Sequence, residues 1–235
     1  MENLFQKLYQ ELPRPKTFMP GPVAPWASIN PEERKINIDE FILALRKQKF
    51  VRENLAELNE VSIEPSSAVL APFILDAQNN LDILVVTQRP ESMKTYSGHI
   101  AFPGGHLEDD DIDLQHCVLR ETQEEIGVDP DDIKIIGRTN DTQTKTSDVL
   151  IAPFVGVVSS ESISKTTLSP NEVQYLHLIK VEDLLKPDNY YCEMWDGPTS
   201  SYLIHIFTVY DTENRPVFIW GATANIIFEL LKMSL

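Results

Sequence analysis

"GGHLEDDDIDLQHCVLRETQEEIGV", residues 104 to 128, carries a run of four acids near its start and three glutamates near its end. Between them Leu114, Cys117 and Val118 recur at helical spacing. Gly104 and Gly105 can turn the chain tightly, and Gly127 suits a left-handed helix end. The stretch therefore reads as loop, helix and stop. At about 100° per residue, with Glu121 at zero, the three apolar positions fall within about 60° of it, and so do Glu124 and Glu125. The glutamates extend the apolar stripe instead of occupying the solvated face. Like charges at such spacings repel by a few tenths of a kcal/mol per pair, and these sit near the negative end of the helix dipole. A cation is expected to compensate. An ordinary acidic surface helix would give the same spacing, but "FPGG" just upstream, Arg120 beside Glu121 and Gly127 at the end favour a compact hard-cation site. Oxygen donors alone suit Mg²⁺ or Mn²⁺ better than zinc.

Strand signals lie on both sides of this helix. "SAVLAPFIL" from Ser67, the turn "DAQNN" and "LDILVVTQR" read as a hairpin. After the helix, "IKIIGRT", "VLIAPFVGVV", "EVQYLHLI" and "SSYLIHIFTVY" are short and rich in branched or aromatic residues. "VEDLL" and "WGATANIIFELLKM" read as helices, and so does "INIDEFILALRKQKF", with Asn37 as its cap and Ile38, Phe41, Ile42 and Leu45 as its apolar face. The mixture predicts an α+β chain with a mixed sheet between helices. Six prolines between Pro13 and Pro31 exclude a long regular element there. The expected organisation is an extended arm over residues 1–35 and a single domain over 36–235, and the arm could order against a second copy in a homodimer.

The chain has 235 residues, 42% of them apolar, enough for one large core. Twenty basic residues against 36 acidic ones leave a net charge of −16, which argues against nucleic acid or an anionic membrane as partner. An anionic small molecule would need local cations. Cys117 and Cys192 are far apart and match no metal-ligand spacing. No leader-like segment or membrane-length apolar run is visible, so a cytoplasmic setting is expected.

"RETQEEIGV", Arg120 to Val128, matches the REXXEEXGU end of the Nudix box, where U is a bulky aliphatic residue. With the upstream glycines it resembles a Nudix hydrolase. "TQRPESMKTYSGHIAFPGG", Thr87 to Gly105, is similar to the signature TXRSXXLRXHXGXVXFPGG that precedes the box in coenzyme A diphosphatases. Thr87, Arg89, Gly98, Phe102, Pro103, Gly104 and Gly105 match; Tyr96 stands where that group tends to have His, His99 where it has Gln, and Pro90 where it has Ser. The position eight residues before Arg120, where the box usually has Glu, is Ile112, and the nearest acids are Asp111 and Asp113. A one-residue insertion common in the coenzyme A group would account for that register.

This resemblance implies a Nudix fold, an α/β/α sandwich around a mixed sheet, and hydrolysis of a nucleoside diphosphate-linked small molecule with Mg²⁺ or Mn²⁺. Coenzyme A or an acyl-CoA is the expected substrate, giving 3′,5′-ADP and 4′-phosphopantetheine. ADP-ribose, NADH or a nucleotide sugar is the enzymatic alternative, and a nucleotide-binding regulatory protein the non-catalytic one. Glu121, Glu124 and Glu125 are the expected metal ligands, Arg120 orients a glutamate, and Glu172 is the candidate general base from a later loop. Arg89 and Lys94, with the backbone at Gly104 and Gly105, are candidates for substrate phosphates, and His99 and His106 flank the same loop. Trp220 and the other aromatics are expected to lie in the core rather than to carry an adenine.

Overall fold

The computed structural model describes residues 4–56, 64–143, 149–197 and 200–235. In chain order the elements are α1 (Leu4–Gln10), β1 (Phe18–Pro20), α2 (Ile38–Ala56), β2 (Ser67–Leu75), β3 (Leu81–Gln88), β4 (Ile100–Ala101), β5 (Gly104–His106) and α3 (Leu114–Ile126). They continue with β6 (Lys134–Arg138), β7 (Thr142–Gln143), β8 (Leu150–Val157), α4 (Ser160–Ser164), β9 (Tyr175–Lys180) and α5 (Val181–Leu184). The last are β10 (Tyr190–Asp196), β11 (Ser201–Tyr210), β12 (Pro216–Trp220) and α6 (Gly221–Lys232).

Period-two alternation builds the central sheet. On β2, Ala68, Leu70 and Ile74 join Cys117, Val118 and Ile126 of α3 in one apolar cluster. Ala71 and Phe73 face the other way, into a cluster with Phe41 and Leu45 of α2 and Ile226, Ile227 and Leu230 of α6. The sheet runs β4-β3-β2-β8-β6, with β5 also on β2, β7 on β8 and β9 on β3. β2 and β8 pair in parallel, while β2 with β3, β3 with β9 and β6 with β8 are antiparallel. The mixed sheet between helices is thus present, and the chain is α+β as its sequence predicts. The cap of α2 also lies where the sequence puts it, with Asn37 Oδ1 accepting the Asp39 N–H at 3.0 Å.

A second, antiparallel sheet of order β1-β10-β11-β12 stands beside the first. The sequence reading found β11 but not β1, β10 or β12. On β10 the buried side chains include a charged one, Glu193, which breaks the apolar alternation that marks a strand.

The extended arm expected over residues 1–35 is a correction. Its first three residues lie outside the described residues; the rest contains α1, the β1 edge strand and two single 3₁₀ turns. β1 pairs with β10 of the same chain, through Phe18–Trp195, Met19–Met194 and Pro20–Glu193. Trp26 is fully buried against Tyr190, Phe207 and Phe228. Burying so large a side chain outweighs the cost of ordering a proline-stiffened segment. Arg14 fastens the arm further, donating from Nε to Glu193 Oε2 at 2.9 Å and from Nη2 to Oε1 at 2.8 Å, and Tyr9 donates to the same carboxylate. The arm is therefore packed against the domain of its own chain. Among the described residues no helix is long and apolar enough to cross a membrane.

Candidate active site

α3 starts where Asp113, in extended conformation, accepts the His116 N–H at 2.7 Å. It stops at Gly127, whose φ of 71° lies in the left-handed region. One helical face then carries the three glutamates into different surroundings. Glu125 is 7% exposed and belongs to the interior. The Glu121 side chain is 16% exposed and that of Glu124 57%.

The glycine loop lies directly against this face. β5 pairs with β2 through Ala68–Gly105 and Val69–Gly104. A Cβ on Gly105 would stand 2.4 Å from the Glu121 carboxyl carbon, so any side chain there would push that carboxylate out of its place. Gly104 has φ of 149°, and a Cβ there would meet the Ala68 carbonyl oxygen at 2.2 Å.

Arg120 organises the upstream half. Its Nε and Nη2 donate to the two oxygens of Asp111 at 3.0 and 2.9 Å, and its Nη1 donates to Glu121 at 3.0 Å and Glu124 at 3.1 Å. The Asp111 side chain is wholly out of water and also meets His116 Nδ1 at 2.9 Å. Asp111 is the acid that pairs with the arginine, and Asp113 is the helix cap. Residue counting left that choice open, because only the path of the intervening loop decides which carboxylate turns inward. Hydrogen bonds from Arg120 hold Asp111 well below the usual carboxylate range.

The downstream half is not neutralised in this way. Glu125 is pushed up from its ordinary 4.5 to about 8, first by burial and then by the charges of Glu121 and Glu172, against the pull of Arg89 and a Gly104 backbone hydrogen bond. Glu121 is also raised by burial, with Arg120 opposing. Glu172 sits on an exposed turn before β9, near enough for its charge to act on both glutamates. Arg89 follows β3 and is half-buried; its Nε is out of water and finds no hydrogen-bond partner among the described residues. Lys94 is different: it is exposed on the turn between β3 and β4 and makes no ion pair with the carboxylates among the described residues. His106 is exposed and bonds Ser67 through Nδ1 at 2.7 Å, while His99 packs against Tyr96 and Trp220.

The Nudix domain family matches residues 64–194, more than half of the chain and all of the elements just described. The chain belongs to the Nudix family. The protein is 26% identical to "Nudix hydrolase 15, mitochondrial" of Arabidopsis thaliana over 78% of its own length, and it spans only 64% of that relative. It is 27% identical to "Uncharacterized Nudix hydrolase NudL" of Escherichia coli (strain SMS-3-5 / SECEC), over 85% of this chain and 95% of that one. A MutT/nudix family protein from Enterococcus faecalis superposes with a TM-score of 0.43 at 14% identity, covering 82% of this chain and 71% of the other.

The Nudix glutamates can be tested for fit to a divalent ion. Among the described residues no three His, Cys, Asp or Glu side chains form a ready-made cage. Glu121 and Glu124 instead share the Arg120 guanidinium. The donors nevertheless suit a hard cation: all are carboxylates, one is buried, and the acids around it raise its proton affinity. Glu121, Glu124 and Glu125 are the residues that would hold such an ion.

Proposed function

We propose that this Nudix protein is a metal-dependent hydrolase of a nucleoside diphosphate-linked small molecule, with coenzyme A or an acyl-CoA as its substrate. The observation that carries the reading is Glu125: a carboxylate buried beneath the glycine loop, crowded by Glu121 and Glu172, is costly to keep unless a cation binds there. Glu121, Glu124 and Glu125 hold Mg²⁺ or Mn²⁺, which when bound neutralises phosphate oxygens and makes a water more acidic. Arg120, anchored by Asp111, fixes the directions of Glu121 and Glu124 without touching substrate. Arg89, with an unpaired buried N–H, receives a phosphate oxygen, and the backbone at Gly104 and Gly105 lets the diphosphate approach. Lys94, exposed on the turn after Arg89, is the second cation offered to a phosphate. Glu172, an exposed carboxylate whose charge reaches Glu121 and Glu125, takes the proton from the attacking water.

The coenzyme A assignment rests on the resemblance of Thr87–Gly105 to the coenzyme A diphosphatase signature. It is tested by incubating the protein with coenzyme A, dephospho-coenzyme A, ADP-ribose, NADH and UDP-glucose, with Mg²⁺, with Mn²⁺ or with chelator, and separating the products. Metal-dependent release of 3′,5′-ADP faster than any other product is expected. Faster cleavage of another diphosphate moves the substrate and keeps the chemistry; nucleotide binding without turnover replaces the hydrolase with a regulatory protein.

A further inference from the structure

Tyr96 is held in a conformation that bulky residues avoid. Its φ is 55°, in the left-handed region, yet its side chain is 44% exposed and fills no core position that would require the strain. The turn is closed by the His99 N–H donating to the Tyr96 carbonyl at 3.2 Å. This closure sets the Tyr96 ring edge-on to His99, with centroids 5.6 Å apart at 64°. His99 in turn lies 5.2 Å from Trp220, tilted by 54°. Trp220 is fixed from behind, since it packs on the cluster of Leu12, Trp195, Ile204 and Ile206 that the arm covers. Thr223 Oγ1 also donates to the Ile100 carbonyl at 2.9 Å, tying the start of α6 to β4 beside His99.

The wall of rings stands next to the phosphate end of the site. The Arg89 N–H donates to the His99 carbonyl at 3.0 Å, and the Arg89 charge is felt by both His99 and Glu125. A ligand whose phosphate meets Arg89 would carry whatever follows its sugar toward His99 and Tyr96. We infer that Tyr96, backed by His99 and Trp220, is the stacking subsite for the nucleobase of the diphosphate substrate, and that it sets the preference for nucleotides over base-free phosphates. This rests on the hydrolase reading above and deepens it. A ring stacked on an exposed aromatic gains binding whichever base it is, because every base has a π-face.

The test uses adenosine 5′-monophosphate and ribose 5-phosphate, which differ only by the base, titrated calorimetrically into the full chain and into the Tyr96→Gly, Tyr96→Phe and His99→Ala variants. The wild type is expected to bind the nucleotide at least about 10-fold more tightly than the sugar phosphate. Tyr96→Gly, which relieves the strained φ, should melt at a higher temperature and yet lose most of that base advantage, and Tyr96→Phe should keep it. A purely structural tyrosine would not separate stability from base recognition in this way. Equal binding of the two ligands by the wild type, or a base advantage that survives both Tyr96→Gly and His99→Ala, overturns the subsite. Metal-dependent hydrolysis by the wild type is measured in parallel: turnover without a base advantage overturns the subsite alone, whereas no turnover of any nucleoside diphosphate overturns the reading beneath it.

Discussion

Glu193 and Glu125 are both buried, at 2% and 7% exposure, and their electrostatic situations are opposite. Glu193 accepts hydrogen bonds from Arg14, Tyr9 and Trp195, and although burial alone would raise its pKa, those partners hold it below its ordinary value. Glu125 is pushed upward, first by burial and then by the charges of Glu121 and Glu172, and Arg89 and a Gly104 backbone hydrogen bond offset this only in part. The first is a structural carboxylate, completed within the chain, that fastens the arm to β10. Among the described residues the second has no ion pair or side-chain hydrogen bond to match these, only a Gly104 backbone hydrogen bond, as expected of a residue whose partner comes from outside.

The largest expected effect breaks the incomplete partner. Glu125→Gln keeps the shape and removes a charge, and should lower kcat at saturating Mg²⁺ by at least about 100-fold, the equivalent of about 2.7 kcal/mol of transition-state stabilisation. Steady-state assays of the hydrolysed substrate check it; unchanged turnover would remove Glu125 from the metal site. Breaking the complete partner should do the reverse. Arg14→Ala strands Glu193 without its cation and should cost about 3 kcal/mol of stability in denaturant titrations, with kcat below the melting range left within about two-fold. A large loss of kcat in the folded variant would show that the arm takes part in catalysis.

Asp111→Asn sharpens the comparison along α3 itself, because it removes the anchor of Arg120 without touching a proposed ligand. Mg²⁺ affinity should weaken by about 10- to 100-fold, as for other losses of ligand-orienting partners, read by metal titration. Wild-type affinity in this variant would make the Arg120–Asp111 pair purely structural.

The pH dependence of metal-free stability separates the two glutamates again, because there they act with opposite sign. Glu193 has a depressed pKa, so its stabilisation is present above its unfolded value of 4.5 and is lost as pH falls through the folded one. Glu125 has a raised pKa, so between 4.5 and about 8 the folded chain binds more protons than the unfolded, and its contribution worsens as pH rises across that window. Melting in chelator over this range should show the wild type declining with pH more steeply than Glu125→Gln.

The helix at the centre of the site was readable because its signals are local. Gly104, Gly105, Gly127 and the carboxylate spacing all fall within one stretch, and β2 and β3 are short runs rich in branched apolar residues. Asp111 was not readable as the partner of Arg120, since two aspartates two residues apart are distinguished only by the path of a loop. The ordered arm was hidden for another reason. Prolines exclude regular helix, but they do not exclude 3₁₀ turns, an edge strand or a buried Trp26, and nothing near Trp26 in sequence announces Tyr190, Phe207 and Phe228. β10 was obscured by Glu193, a charge on a buried face whose cation lies 179 residues away in Arg14.

The most direct measurement is thermal melting of the wild type and Glu125→Gln, each with chelator and with a Mg²⁺ series near pH 7.5. In chelator the Gln variant should melt higher, because burial first, and the charges of Glu121 and Glu172 second, oblige the folded Glu125 to take up a proton that Gln does not need. Added Mg²⁺ should raise the wild type in a saturable way and leave the variant nearly unmoved. A variant that melts lower in chelator, together with a wild type indifferent to Mg²⁺, would contradict the claim that Glu125 is kept for a cation.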